Sequence, residues 1–203
     1  MSSVDARLYR AVNRFADHTS WAHGPFVAYA TFGITIFAAL LLVGWWGARA
    51  RHDLDTMARL LWAGIGSLLA VGLNQPIGSL VGRARPYAAM PTMHVLIARS
   101  SDFTFPSDHS VAAGAVAAGL CLAVRRLGWV AAGLALLMAV ARVYVGAHYP
   151  ADVVAGLLLG AAVVAAGAPL AVPALRAVVG MVDRSPLRPV IAAGAEPAPA
   201  LAD

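Results

Sequence analysis

The sequence predicts an all-α fold: a polytopic membrane bundle of five transmembrane helices, or six if a further short span or a re-entrant N-terminal segment completes it. Three observations carry that prediction. Of the 203 residues, 60% are hydrophobic and only 12% are charged, about half the charged share of an ordinary soluble domain. The apolar residues come in blocks of about 20, the length that crosses a bilayer. The charged residues gather between those blocks. A chain of this length suffices for one bundle and is too short for a bundle plus a second domain.

Three regions follow in order. Residues 1–20 have no apolar core and no cleavage pattern, so they are not a signal peptide. Val4, Leu8, Val12 and Phe15 fall on one stripe with Arg7, Arg10 and Arg14 elsewhere, which predicts an amphipathic interfacial helix; a plain solvated leader helix is the alternative. Residues 21–183 form the transmembrane domain. Its first span covers 26–46, with Trp45 and Trp46 at the interface. The second covers 60–81 and is closed by Pro86. The third runs from Ser107 to Arg125, the fourth covers 129–145 and the fifth 152–172. Between the second and third lies the longest loop, 87–105, apolar enough to pack on the bundle as a lid. Residues 184–203 are rich in Pro and Ala and read as a disordered tail.

The formal net charge is +5, and every one of the 15 basic residues is Arg. They punctuate apolar blocks instead of forming a soluble basic face, which argues against nucleic acid and for anionic lipid or phosphate as the partner. Oligomeric state is not legible. The single Cys121 excludes an intrachain disulfide and reads as a small buried hydrophobe. With five spans, Arg49, Arg51, Arg59, Arg125, Arg126, Arg176, Arg184 and Arg188 share one side, cytoplasmic by the positive-inside rule. The N-terminus, the 82–109 loop and the 142–152 turn then face out of the cytoplasm. The N-terminal Arg residues run against that orientation.

All three unusual polar clusters fall on that outer face: Arg83 and Arg85-Pro86; Pro106-Ser107-Asp108-His109; and Arg142, His148 and Asp152. Arg85 and Arg142 offer planar forks suited to phosphate oxygens. Ser107 stands as the N-cap of the third span, where first-turn N–H groups and the helix dipole favour an anion. His109 sits in that first turn. Asp152 lies four residues after His148, which puts the pair on one face if the helix reaches back far enough, so that the carboxylate holds one ring nitrogen and frees the other to attack. Phosphoryl transfer through a phosphohistidine fits these groups. His148 is the nucleophile, Asp152 its partner and His109 the acid and base; Arg85, Arg142 and Ser107 hold the phosphoryl oxygens. No cofactor or metal is called for, although His109, His148 and Asp152 together are an alternative metal set. The bland readings are snorkelling for Arg83 and Arg85, and a structural pair for His148 and Asp152. Asp102, His23 and His94 read as loop or interface residues.

These motifs resemble the type 2 phosphatidic acid phosphatase (PAP2) superfamily of lipid phosphatases and haloperoxidases. Its signature is Lys-x6-Arg-Pro, then Pro-Ser-Gly-His, then Ser-Arg-x5-His-x3-Asp. Arg85-Pro86 matches the end of the first part, Pro106-Ser107-Asp108-His109 the second with Asp108 in the Gly position, and Arg142, His148 and Asp152 the third with Ala141 in the Ser position. The resemblance implies the roles just given. It departs at Gly78, where the family has Lys; Arg83 is the nearest substitute and joins Arg85, Ser107 and Arg142 as an expected phosphate ligand. Asp108 looks like the Pro-Ser-Asp-His variant of bacterial undecaprenyl-pyrophosphate phosphatases, and its charge beside a phosphate calls for a partner such as Arg83 or Arg99. The expected function is therefore an integral membrane phosphatase that hydrolyses a polyprenyl pyrophosphate to the monophosphate at the extracytoplasmic surface of the cell membrane. Alternatives are a phosphatidate, phosphatidylglycerophosphate or polyprenyl-phosphosugar phosphatase, and a non-catalytic lipid-phosphate binding or transport protein.

Overall fold

The computed structural model describes residues 3–192, which are helical or irregular and include no strand. Helix α1 (Ser3–Asp17) is followed by α2 (His23–Phe32) and α3 (Ile34–Ala50), then α4 (Leu54–Val81), a single turn α5 (Pro86–Ala89), α6 (Asp108–Ala123), α7 (Arg125–Tyr144) and α8 (Pro150–Asp183). The first expected span is thus two helices, bent by 58° at their junction. Helix α4 starts earlier than residue 60. Asp53 caps it by accepting the Thr56 N–H at 3.0 Å, and Asp55 and Arg59 pair at 2.8 Å along its first turn. It ends at Gly82 with φ +60, the left-handed stop that glycine adopts freely.

Helix α6 is the axis of the bundle, packed against α3, α4, α7 and α8. Its contact with α8 is close enough to exclude side chains. A Cβ on Gly114 would lie 2.3 Å from the Leu157 carbonyl oxygen, and one on Gly160 would lie 2.0 Å from that of Val111. Small residues at such crossings let backbones approach within a membrane, where dispersion contacts replace the hydrophobic drive between helices. By length and composition, Leu54–Ala89, Arg125–Tyr144 and Pro150–Asp183 suffice to cross a bilayer, the bent pair counts as a fourth candidate, and Asp108–Ala123 is a shorter apolar helix. The protein is accordingly an all-helical membrane protein. Cys121, expected to be buried, is exposed on α6.

Helix α8 runs 34 residues, about 50 Å against a hydrocarbon core of about 30 Å. It therefore continues well past residue 172, through Pro169 and Pro173. Its far end is tied to the α3–α4 connection by His52 and Asp183 at 2.8 Å. Residues 184–192, expected to be loose, pack on the bundle instead. Arg49 donates to the Pro189 carbonyl at 2.7 Å, and Ile191 is buried in the core beside Val179. The remaining tail, 193–203, lies outside the described residues, as do residues 1 and 2. The other end of the bundle gathers α1, the 90–107 loop and the 145–149 turn. There the expected apolar stripe of α1 is turned outward, with Val4, Leu8 and Phe15 exposed, while Asp5, Ala6, Tyr9, Asn13 and Ala16 are buried against the protein.

Candidate active site

Each side chain at this end is aimed by the end of a helix. Arg85 is the extended residue before Pro86, just past the stop of α4. Ser107 is the N-cap of α6, and its N–H donates to the Asp152 carbonyl at 3.1 Å, which locks the start of α6 to the start of α8. Arg142 lies in the last turn of α7. The chain then reverses through Gly146, φ +82, so close to the loop that a Cβ there would lie 2.6 Å from the His94 carbonyl oxygen. This turn presents His148. Helix α8 begins at Pro150, not earlier, so His148 and Asp152 do not share a helical face. Asp152 instead reaches back as a capping carboxylate, accepting the Tyr149 N–H at 2.9 Å.

His148 is 2% exposed. Its Nδ1 lies 2.8 Å from the Thr104 carbonyl oxygen. A carbonyl only accepts, so Nδ1 carries the proton and Nε2 the lone pair. Nε2 in turn lies 3.3 Å from Arg142 Nη2 and 3.4 Å from Arg85 Nη1. Burial, and then the Arg142 and Arg85 guanidiniums, hold this imidazole well below its ordinary pKa. A neutral ring with its lone pair between two guanidinium forks is the resting state a nucleophile requires.

The expected direct contact of Asp152 with His148 is absent: Nδ1 and Oδ2 are 3.9 Å apart, beyond a hydrogen bond. Thr104 stands between them. Its hydroxyl donates to Asp152 Oδ2 at 2.7 Å and lies 3.2 Å from His148 Nδ1. Thr104 belongs to no motif, and a hydroxyl in an irregular loop gives no periodic signal. Asp102, expected to be solvated in the loop, has a carboxylate that accepts from Arg85 Nη2 at 2.9 Å. Burial raises its pKa, but the hydrogen bond from Ser100 and the Arg85 charge outweigh that and keep it below the usual carboxylate range.

A cavity of about 230 Å³ opens here, lined by Arg85, Asp102, Asp108, His109, Arg142 and His148, with Ile97, Ala98 and Phe103 of the long loop beside them. It brings together most of the residues the motifs singled out. Ser107 is fully buried, and its hydroxyl makes neither a capping bond nor any other hydrogen bond among the described residues. Asp108 pairs with neither Arg83 nor Arg99. Its Oδ1 accepts from Asn74 Nδ2 at 2.6 Å and Gln75 Nε2 at 3.0 Å, two amides on α4 that no motif marked. Arg99 lies over the Tyr87 ring.

Arg83, expected as a phosphate ligand in place of the missing Lys, points elsewhere. Its Nη1 donates to Asp152 Oδ1 at 2.5 Å, its Nη2 donates to Asp5, and it lines a separate recess with Asp5, Tyr149 and Ala151. Two carboxylates already take up its fork. At Gly78 itself a Cβ would lie 3.2 Å from the Phe105 carbonyl oxygen, so this face of α4 packs against the loop that leads into α6. No three His, Cys, Asp or Glu side chains among the described residues are grouped to hold a metal.

Comparison with known proteins follows the same stretch. The family model described as PAP2 superfamily matches residues 59–174. The chain is 28% identical over 156 residues to the undecaprenyl-diphosphatase BcrC of Bacillus subtilis, covering 77% of this chain and 78% of that one. It is 30% identical over 159 residues to a protein of Bacillus licheniformis named bacitracin transport permease protein BcrC, covering 78% and 76%. Among solved structures, the PAP2 type phosphatidylglycerolphosphate phosphatase of Bacillus subtilis superposes with a TM-score of 0.57 at 22% identity, over 90% of this chain and 88% of that one, a likeness of fold.

Proposed function

The chain belongs to the PAP2 superfamily, and on that premise we propose that it is a metal-independent phosphatase hydrolysing a polyprenyl pyrophosphate to the monophosphate. The observation that carries the reading is His148 Nε2, neutral and buried between the Arg85 and Arg142 guanidiniums at the wall of a polar cavity. In the proposed reaction Nε2 attacks the terminal phosphorus and the bond from phosphorus to the bridging oxygen breaks. His109 delivers a proton to that oxygen, and the lipid monophosphate leaves. His109 then takes a proton from water as the water attacks phosphorus; the N–P bond breaks and inorganic phosphate departs. Throughout, Nδ1 keeps its proton on the Thr104 carbonyl, and the charge of Asp152, relayed by the Thr104 hydroxyl, offsets the cationic character of the phosphorylated ring. Arg85, Arg142, the Ser107 hydroxyl and the first-turn N–H groups of α6 are the proposed phosphate ligands. Asp108, held by Asn74 and Gln75, faces the phosphate cavity as a shaping group.

Substrate class rests on the relatives named undecaprenyl-diphosphatase and on Asp108. We place five spans in the membrane, counting the bent α2–α3 pair and the sheltered α6, with the cavity on the extracytoplasmic side and α1 at the interface. The relative named a transport permease favours the non-catalytic reading as the alternative. The test is phosphate release by the purified protein from a C55 polyprenyl pyrophosphate and from phosphatidate in mixed micelles. A higher kcat/KM on the pyrophosphate is expected. Faster phosphatidate turnover would overturn the substrate, and no release from any lipid phosphate would leave the binding protein.

The geometry also sets a pH dependence. The nucleophile reacts as the neutral ring, and its folded pKa is depressed. It therefore stays competent as pH falls through the ordinary histidine range of about 6.5, and the acid limb of kcat/KM lies below that range. Arg85→Gln removes a neighbouring cation, which raises the His148 pKa and moves the limb to higher pH. A limb that moves down, or does not move, in profiles from about pH 4 to 8 would contradict this assignment of the shift.

A further inference from the structure

Asp5 belongs to no motif and lies outside the stretch matched to the family, yet it reaches the back of the catalytic cluster. Helix α1 is clasped to this end of the bundle: Tyr9 donates to the Gly146 carbonyl at 3.3 Å, and Asn13 donates to the His94 carbonyl at 2.8 Å. From its first turn the Asp5 carboxylate, 6% exposed, does two things. Its Oδ1 accepts the Ala151 N–H at 3.0 Å, one of the first-turn donors of α8 that no carbonyl of that helix can satisfy. Its Oδ2 accepts from Arg83. The other arm of Arg83 donates to Asp152 Oδ1 at 2.5 Å, and the guanidinium lies 4.1 Å from the centre of the Tyr149 ring.

One guanidinium is thus shared between two buried carboxylates. Sharing leaves Arg83 a single arm for Asp152, so Asp152 Oδ2 remains free for the Tyr149 N–H and the Thr104 hydroxyl. Without the Asp5 charge, Arg83 would take Asp152 in the two-pronged geometry that guanidinium and carboxylate prefer, drawing Oδ2 away from Thr104. The carboxylate at the Ala151 N–H also fixes the start of the helix that carries Asp152.

We propose that Asp5 is a positioning residue for the active site: through Arg83 and the Ala151 N–H it sets the orientation of Asp152, and hence of Thr104 and His148. The N-terminal helix is then a working part of the catalytic assembly, and Arg83 positions Asp152 instead of binding phosphate. This inference rests on the phosphatase reading above.

The test is steady-state kinetics on the purified full chain with the polyprenyl pyrophosphate, comparing Asp5→Asn, Arg83→Gln and the double variant, with thermal unfolding as the folding control. Asp5→Asn keeps an acceptor for the Ala151 N–H but loses the charge. It is expected to lower kcat about 10-fold, the scale for supporting residues behind a site, with KM within about twofold. Arg83→Gln should likewise lower kcat at nearly constant KM, and the double variant should lose no more than the worse single one. Losses that multiply, wild-type kcat in Asp5→Asn, or a raised KM with kcat intact in Arg83→Gln would overturn the proposal. If Asp5→Asn does not fold, Arg83→Gln decides by the same split. Wild-type protein without His148-dependent turnover refutes the phosphatase reading and this inference with it. Active wild-type protein with an indifferent Asp5→Asn refutes the inference alone.

Discussion

His148→Ala is expected to cut phosphate release by at least about 10³-fold, because in the proposed reaction it removes the atom that attacks phosphorus and not a group that merely tunes it. Among the described residues, no other histidine of the cavity is held between two guanidiniums in this way. His109 lines the same cavity, but it makes no contact like the clamp of Arg85 and Arg142 on Nε2. Protein quenched in base during turnover of a substrate labelled on the terminal phosphate should carry label in the wild type and none in the variant. The folding control matters, because without the ring Arg85 and Arg142 would face each other across a buried gap. A folded His148→Ala protein with turnover near wild type would sink the mechanism.

Asp152→Asn is expected to impair both activity and stability. Asp152 is fully buried and accepts on both oxygens, from Arg83 on one side and from Thr104 and the Tyr149 N–H on the other. An amide can accept on one side only. Its NH₂ must therefore oppose either the Arg83 donors or the Tyr149 N–H, which leaves a buried donor unsatisfied at a cost of about 1–3 kcal/mol. In a serine-protease triad the same change costs about 10⁴-fold because the histidine tautomer is lost. Here the Thr104 carbonyl, not Asp152, fixes the tautomer. The activity loss should therefore be smaller, about 10²-fold in kcat, through weaker stabilisation of the phosphorylated ring. Thermal unfolding of the purified variant and its kcat on the polyprenyl pyrophosphate check the two halves. Wild-type kcat would remove Asp152 from the mechanism, and a 10⁴-fold loss would show that it controls the tautomer after all.

The helical membrane fold was legible because a bilayer imposes a length and a composition on every span, and the blocks ending near Trp46, Val81, Val124 and Val145 state both. The start of α6 was legible because Ser107 stands at its N-cap, whereas the end of α4, read from Pro86, is made by Gly82. Boundaries were misjudged where the helix outruns the bilayer: α8 reaches Asp183, since Pro169 and Pro173 do not stop a helix that packs along its neighbours. The site motifs stood out because Arg85, His109, Arg142 and His148 are costly residues to place at the ends of apolar spans. Thr104, Asp102, Asn74, Gln75 and Asp5 did not, because each is an ordinary polar residue whose importance comes only from what lies opposite it.

The sequence by itself determined that this is a helical membrane protein whose three polar clusters share one end, because hydropathy and motif spacing are local properties of the chain. Only the tertiary structure decided how those clusters are wired. The crossing of α6 and α8 at Gly114 and Gly160 brings Ser107 onto the Asp152 carbonyl, and the packing of α1 over the same end brings Asp5 to Arg83. Thr104 thereby stands between His148 and Asp152, Asn74 and Gln75 hold Asp108, and Arg83 is drawn away from the cavity that His148 lines. Hydrogen bonds between residues 33 to 78 positions apart leave no trace in local pattern. They exist only because close-packed helices put those groups within hydrogen-bonding distance of one another.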